Sequence, residues 1–407
     1  MSADLSTPSP GGAARSALGV ASFLAFGSLL VLYGANSSQL ITSLSLDYAD
    51  LGLLGSMLSL GLGIGIVLAG PIIDRFPRKP LYVGACLAVI AAATTLDAST
   101  SYQRLLIHTI AIGFGAGFYE TVLNALIVEE YGSSAPRRLL FIHAAATAAA
   151  SATPLLLAFA RGYVEITWFE AFRYAGLGHL LLVAGAFFVH MKDAPRLAAT
   201  SSESSPDDEP KRFDDRLALA AVCLVTFAYV GVESAISLFV VDHTTSELGL
   251  SAERAARTIS AFWGGLLVGR LAVGLSPRPV GAGTTAALAS VSAVLMLFFG
   301  LGWIGIPELA MTAVGFFLGG VFPIMIGLAG IAMPTAAGTA VGLAGGLGSL
   351  GGFIIPWLTG RLANDESLAV ALTSLSLWLM VLVIAAAIVR KRLATRPTDP
   401  GGTPVTG

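Results

Sequence analysis

Charge is what this chain has least of. Asp, Glu, Lys and Arg make up only 12% of its 407 residues, against about 25% in an ordinary soluble domain. Cysteine is nearly absent as well. Cys86 and Cys223 both fall in apolar stretches, so no disulfide framework is implied and small buried hydrophobes describe them better. There is no Gly-x4-Gly-Lys-Ser/Thr loop and no His/Cys cluster at ligand spacing, which leaves ATP-driven work and metal chemistry without residues to rest on. A net charge of -2 favours neither nucleic acid nor a strongly charged partner. The expectation is therefore not an enzyme, with no cofactor and no metal.

What is abundant is apolar. Hydrophobic residues reach 55%, glycine numbers 47, and the mean hydropathy is +0.80. The apolar residues come in blocks of about 20, the length a helix needs to cross hydrocarbon. The alternating, roughly ten-residue segments of a β-barrel are missing. The fold class expected is an all-α membrane protein. Twelve spans can be read, at 17–43, 51–73, 80–98, 104–129, 139–161, 170–190, 216–241, 256–276, 281–303, 307–333, 338–361 and 367–389. The first apolar run is too long for a signal-peptide core and is read as span 1. "KDAPRLAATSSESSPDDEPKRFDDR", from Lys192 to Arg216, has the composition of a flexible linker. The expected division is an N-terminal six-helix half (1–191), a linker (192–215), a C-terminal six-helix half (216–392) and a disordered tail (393–407).

Basic residues are unevenly shared between the two sides. One side holds Arg15, Arg75, Arg78, Lys79, Arg137, Arg138, the linker residues, Arg278, Arg390, Lys391, Arg392 and Arg396. The other holds Arg104, Arg161, Arg173, Arg254, Arg257 and Arg361. By the positive-inside rule both termini are cytoplasmic. A cell-membrane protein, multi-pass and monomeric, is expected.

The halves echo each other at an offset of about 200 residues, as repeat-built transporters do. "GIVLAG" (Gly65–Gly70) matches "GRLAVG" (Gly269–Gly274). "LYGANSS" resembles "AYVGVES", setting Tyr33 opposite Tyr229. Pro154 and Pro356 hold like positions.

Two sets of residues then stand out. After span 2 comes "GPIIDRFPRKP". Gly70 permits close helix contact, and Asp74 is read as a latch for a gate at the cytoplasmic surface. Arg75, Arg78 and Lys79 supply positive charge that also fixes topology. The other set lies inside the spans. Gly113, Gly117, Glu120 and Asn124 follow 4-3-4 spacing in "GFGAGFYETVLNALIVEEY" and so share one helix face. A carboxylate at mid-membrane costs a few kcal/mol or more unless hydrated, paired or protonated, and such a group can take a proton from one side and release it to the other. In span 7, Tyr229, Glu233 and Ser237 recur every four residues, and Glu233 is either a second proton site or a substrate ligand. In span 1, Asn36, Ser37 and Gln39 offer uncharged donors and acceptors, which suits sugar hydroxyls. Tyr33, Tyr229, Trp263 and Phe316 are aromatic platforms, with helix packing the stronger reading for Phe316. His143 is either a proton relay near the inner gate or a satisfied polar group at a span end. Arg270 is expected to snorkel to the cytoplasmic surface, and Glu129 and Glu130 to pair with loop arginines such as Arg137.

"GPIIDRFPRKP" resembles the signature between spans 2 and 3 of the major facilitator superfamily, with Pro77 where that family usually has glycine. "GAGFYETVLNALI", "YVGVESAISLFV", "FWGGLLVGRLAVG", "GGVFPIMIGLA" and "GGLGSLGGFIIPWLTGRL" are similar to the fucose permease branch of sugar/proton symporters. That branch has an Asp in span 1 working with its span 4 Glu, whereas the span 1 region here, "YGANSSQLITSL", has no carboxylate. The resemblance implies twelve helices in two pseudo-repeats, alternating access, and a proton gradient in place of a cofactor. It implies uptake of a small neutral solute such as a sugar, with Glu120 and Glu233 as proton-coupling residues and Tyr33, Asn36, Gln39, Asn124, Tyr229 and Trp263 as substrate contacts. Two other readings remain. An efflux antiporter of the same fold usually carries a Gly-Pro-rich motif in span 5, where this chain has "AAATAAASATPLLL". A non-transporting sensor would be expected to carry a signalling domain, which the short tail "LATRPTDPGGTPVTG" does not suggest.

Overall fold

The computed structural model describes residues 12–131, 135–191, 214–276 and 280–394, without the side chains of 135–137 and 337. The linker and the tail expected from the sequence lie almost wholly outside these residues. The described helices are α1 (Gly12–Ala35), α2 (Ser37–Leu44), α3 (Tyr48–Ile73), α4 (Arg78–Thr94), α5 (Tyr102–Tyr131), α6 (Ala135–Arg161), α7 (Trp168–Phe188), α8 (Arg216–Asp242), α9 (Ala252–Gly274), α10 (Ala282–Gly300), α11 (Pro307–Leu318), α12 (Val321–Ala332), α13 (Ala337–Asp365) and α14 (Leu368–Ala394). Ten helical segments are long and apolar enough to cross a membrane. Among the rest, α4 has only 17 residues, and α9 carries Glu253, Arg254, Arg257 and Arg270.

Two of the expected spans are interrupted. Span 1 breaks at Asn36, whose backbone leaves helical geometry (φ -113°, ψ 8°) while its Nδ2 donates to Leu32 O at 2.7 Å. A short polar side chain competes with the helix for its own carbonyls in this way. Span 10 breaks at Gly319–Gly320, between α11 and α12. Pro323 lacks the N–H that would bond back to Gly319, and two successive glycines add low helix propensity.

Close packing follows a repeated plan. A Cβ placed on Gly65 of α3 would sit 2.3 Å from Phe114 O of α5, and one on Gly117 of α5 would sit 2.4 Å from Leu62 O of α3. In the second half, Gly269 of α9 would meet Phe316 O of α11 at 2.2 Å, and Gly319 would meet Leu266 O at 2.5 Å. Backbones approach this closely in membranes because packing and polar contacts, with little hydrophobic drive between helices, hold them together. The match of Gly65 to Gly269 read from sequence is therefore a match of contacts. The match of Tyr33 to Tyr229 is not. Gly27 of α1 packs on Ala146 of α6 as Gly231 of α8 packs on Gly351 of α13, and that register sets Tyr33 level with Ser237, two turns from Tyr229.

The two halves meet along α6 and α9, where Ser151 Oγ donates to Ser260 O at 2.9 Å and Leu140 lies against Gly274, and at the end of the bundle away from the termini. There Gly34 abuts Ser237 O, Gly360 abuts Tyr48 O, and Tyr48 N donates to Asn364 Oδ1 at 2.9 Å. The antiparallel pairing of α3 with α13 runs through Gly52–Gly360 and Gly63–Ser349 and then stops. Continued, it would bring Val67 to Gly345 and Gly70 to Gly342, yet Val67 is 65% exposed and a Cβ on either glycine would have nothing within 4 Å. The bundle is thus closed at the far end and parted between α3 and α13 at the terminal end. Gly70, expected to sit in close helix contact, touches nothing in this conformation.

At the terminal end α5 is strapped to its neighbours. Arg78, 1% exposed, grips Glu129 through two hydrogen bonds of 2.6 Å. Arg15 reaches Glu130 at 2.7 Å and His190 O at 3.1 Å. Glu129 and Glu130 thus pair with helix arginines; the Arg137 side chain, the expected partner, lies outside the described residues. Asp74 and Arg75 are exposed, and Asp74 makes no ion pair among the described residues.

Gly65→Ala and Gly269→Ala should each lower stability by about 1–3 kcal/mol, the usual penalty for overpacking. Gly70→Ala, in open space, should leave it unchanged or raise it slightly. Thermal unfolding of the purified protein in detergent compares the three.

Candidate functional site

Within the bundle, the polar side chains of α5, α6, α8 and α9 converge. Glu120 interacts with Asn124 one turn further along α5. Asn124 Oδ1 accepts from His143 Nε2 of α6 at 3.3 Å, and the His143 ring lies against Phe23 of α1, centroids 4.4 Å apart. One turn on from His143, Thr147 Oγ1 accepts from Arg270 Nη1 at 2.6 Å. Arg270 belongs to α9, so this bond joins the two halves of the chain. Its Nη2 donates to Tyr229 OH at 3.2 Å and faces Glu233 Oε1 at 3.7 Å, with both ionic side chains 14% exposed. Tyr229 and Glu233 interact in turn on α8. The path runs Glu120, Asn124, His143, Thr147, Arg270, then Tyr229 and Glu233.

Local sequence accounts for these positions. Gly113 and Gly117 bring α5 onto α3, and the same face then carries Glu120 and Asn124 toward α6. The glycines of that shared face are therefore helix–helix contacts, and its polar half engages α6. Tyr229 and Glu233, four residues apart, share a face of α8. Arg270 was expected to snorkel. It stays inside because Thr147 and Tyr229 accept from its two Nη atoms and Glu233 stands beside it as counterion, and a nearby counterion compensates a buried cation at closer range than the headgroup region can.

Of the residues singled out from sequence, the structure brings Glu120, Asn124, His143, Tyr229 and Glu233 together, draws in Arg270, and adds Thr147. Trp263 lies two turns from Arg270 on α9, 2% exposed, packed on Phe262 at 5.8 Å, with its Nε1 lacking a partner. Asn36, expected to read substrate, is committed elsewhere. Its Oδ1 accepts from Arg161 Nη2 at 2.5 Å, its Nδ2 donates to Leu32, and 1% of it is exposed. Gln39 reaches Ile166 O at 3.4 Å. Tyr33 packs against Phe172 of α7 at 4.8 Å and does not reach the network. Phe316 is a partly exposed residue of α11. Arg270 was the residue the sequence undervalued. Its signal was available, since Arg270 and Glu233 are both charges inside adjacent apolar spans.

The Major Facilitator Superfamily profile matches residues 18–356. A glucose/mannose transporter of Bacillus subtilis is 21% identical over 397 residues, covering 94% of this chain and 95% of that protein. The crystal structure of a D-xylose-proton symporter superposes with a TM-score of 0.72 at 16% identity, covering 93% of this chain and 97% of that one. That of the E. coli fucose:proton symporter superposes with a TM-score of 0.65 at 17% identity, covering 92% and 98%. At these identities the two structures show a shared fold.

Arg270→Met and Glu233→Gln should each destabilise the protein by about 3–5 kcal/mol, because each strands or weakens one member of a buried pair. The double variant should lose clearly less than the sum. Unfolding midpoints of the four proteins in one detergent measure the coupling.

Proposed function

The chain belongs to the Major Facilitator Superfamily, and from that premise we propose that it imports a small neutral sugar together with a proton by alternating access. One observation carries this reading above the others: a row of polar groups, stepping from His143 to Thr147 through the His143 backbone carbonyl at 3.4 Å, joins a carboxyl of the first half, Glu120, to a carboxyl of the second, Glu233, by way of Arg270. The sugar specificity of the glucose/mannose transporter and the proton coupling of the xylose and fucose symporters support it.

The positive-inside distribution assigns the terminal end to the cytoplasm of a cell membrane, where the chain acts as a monomer. The parted α3 and α13 then give an inward-open state, with the outer gate shut. Glu120 has no cationic partner among the described residues, so in hydrocarbon its neutral, protonated form is the cheaper one. Glu233 holds Arg270 when ionised. Protonating it leaves the guanidinium with only hydroxyl partners, Tyr229 in its own half and Thr147 across the interface, and so changes how the cation at that joint is compensated. A proton on Glu120 makes the first half neutral enough to change face with a neutral solute aboard. On α9, two of the buried polar groups that lack protein partners, Trp263 Nε1 and Arg270 Nε, are donors, which sugar hydroxyls can satisfy. Asp74, on the exposed end of α3, is the latch that engages once α3 and α13 close at the cytoplasmic side, with Gly70, Arg75, Arg78 and Lys79 supporting that turn.

Proteoliposomes with an acidic exterior, tested with a panel of aldohexoses and pentoses, decide this. A one-unit pH gradient drives up to about tenfold accumulation at one proton per sugar, since 1.4 kcal/mol is a factor of ten. Glu120→Gln should abolish accumulation while sugar exchange persists. Accumulation that survives in Glu120→Gln removes the proton-carrier role. Expulsion of a cationic dye with no sugar movement replaces uptake with efflux.

A further inference from the structure

A third buried carboxyl lies outside the path just described. Asp242 ends α8 at the far end of the bundle, immediately before a π-helical turn (His243–Glu247). It is 4% exposed. Oδ1 accepts from Ser38 Oγ of α2 at 2.7 Å, which makes it a bond between the two halves. Oδ2 has no partner. Facing it from the same short helix is Ser37, completely buried, whose Oγ also has no partner. Two orphaned oxygens in one dry contact are unfavourable when left unmade.

The Ser37 hydroxyl can donate to an ionised Oδ2 or accept from a protonated one, so it serves either state. What favours the proton is a carboxyl 4% exposed whose only close partners among the described residues are two neutral hydroxyls, since an uncompensated charge is the costlier thing to bury. We infer that Asp242 is a proton-binding site of the outer gate, loaded when α2 and α8 are in contact and emptied when they separate. Separation exposes the carboxylate to water, which solvates the ionised form. The surroundings offer no competing charge compensation. Tyr48 of α3 and Glu247 of the π-turn are the titratable groups near it, α2 brings only Ser37 and Ser38, and α13 presents Asn364 to the Tyr48 backbone. His243 turns away to Phe299 O of α10, and no Lys or Arg pairs with Asp242 among the described residues. Ser38 is exposed at the far face, so the proton comes straight from that side without passing Glu120 or Glu233. The assignment concerns the gate alone and stands whatever the solute. For an importer in an acidic medium, it shuts the outer gate over a loaded site.

The test uses the full chain without substrate, reconstituted in nanodiscs, with Cys86→Ala and Cys223→Ala and with nitroxides at Ser43→Cys and Glu253→Cys on opposite sides of the gate. Pulsed electron–electron distances are recorded from pH 5 to pH 9. The short-distance population should fall as pH rises, by at most about tenfold per unit for one linked proton. Asp242→Asn, which keeps a donor toward Ser37, should hold the short distance at every pH. Ser37→Ala removes a hydroxyl that helps hold the ionised carboxyl and should move the profile along the pH axis, changing the closed population at intermediate pH severalfold. A pH-independent distance in the parent protein overturns the inference. So does an Asp242→Asn profile that still follows the parent's, which would place the titration at Glu120 or Glu233. Should Asp242→Asn fail to fold, a Ser37→Ala profile identical to the parent's overturns it equally.

Discussion

A charge placed in hydrocarbon must be paired, hydrated or neutralised, and the interior of this bundle is organised by that constraint. Arg270 is the cation, and every group its head reaches belongs to a different helix from its own: Thr147 on α6, Tyr229 and Glu233 on α8. Because α6 belongs to the first half and α9 to the second, compensating one charge also fastens the halves together. Protonation of a carboxyl in such a network changes two things at once, the charge of the interior and the compensation of the cation that spans the joint. Coupling of a proton to a change of shape needs both. Glu120 supplies the complementary case, an acid with no cation to hold it, for which a proton is the available compensation.

The packing divides rigid contacts from movable ones. Within each half, glycines let backbones touch, as Gly65 does on α5 and Gly269 on α11, and the ion pairs Arg15–Glu130, buried, and Arg78–Glu129, with only its arginine buried, strap α5 at one end. These contacts are dense and directional, and each half is expected to move as a unit. Between the halves the joints are α3 with α13 over part of their length, α1, α2 and α3 with α8 toward the far end, and α6 with α9 through Arg270, Ser151–Ser260 and Leu140–Gly274. A rocking motion has only these to make and break. The orphaned oxygens at Ser37 and Asp242 sit in one of them, and the Arg270 tie is another.

The fold was legible because hydropathy in a membrane is nearly a direct readout of depth. Long apolar blocks gave the helices, and the basic residues gave an orientation. What period and length do not encode is an interruption, and Asn36 and Pro323 each break a span through a local hydrogen-bonding effect. The acids were equally legible, since Glu120 and Glu233 are rare where they stand. Their partners were harder to read. Arg270 looks like a snorkelling residue until the helix beside it is known, and Asn36 looks like a sugar ligand until Arg161 is seen on its amide oxygen. The paired repeat shows the same limit. Glycine contacts preserved the Gly65–Gly269 match, while the Tyr33–Tyr229 match was a coincidence of composition two turns out of register.

The central claim is that proton and sugar are bound by one connected network. Linkage makes this measurable without any gradient, because a site that takes up protons on binding sugar must bind sugar with a pH-dependent affinity. Binding of the transported sugar should therefore be followed by titration calorimetry across pH in the parent protein and in the Glu120→Gln, Glu233→Gln double variant. The account predicts an affinity that varies with pH in the parent and is flat in the double variant. An affinity that keeps its pH dependence without those two carboxyls would contradict it.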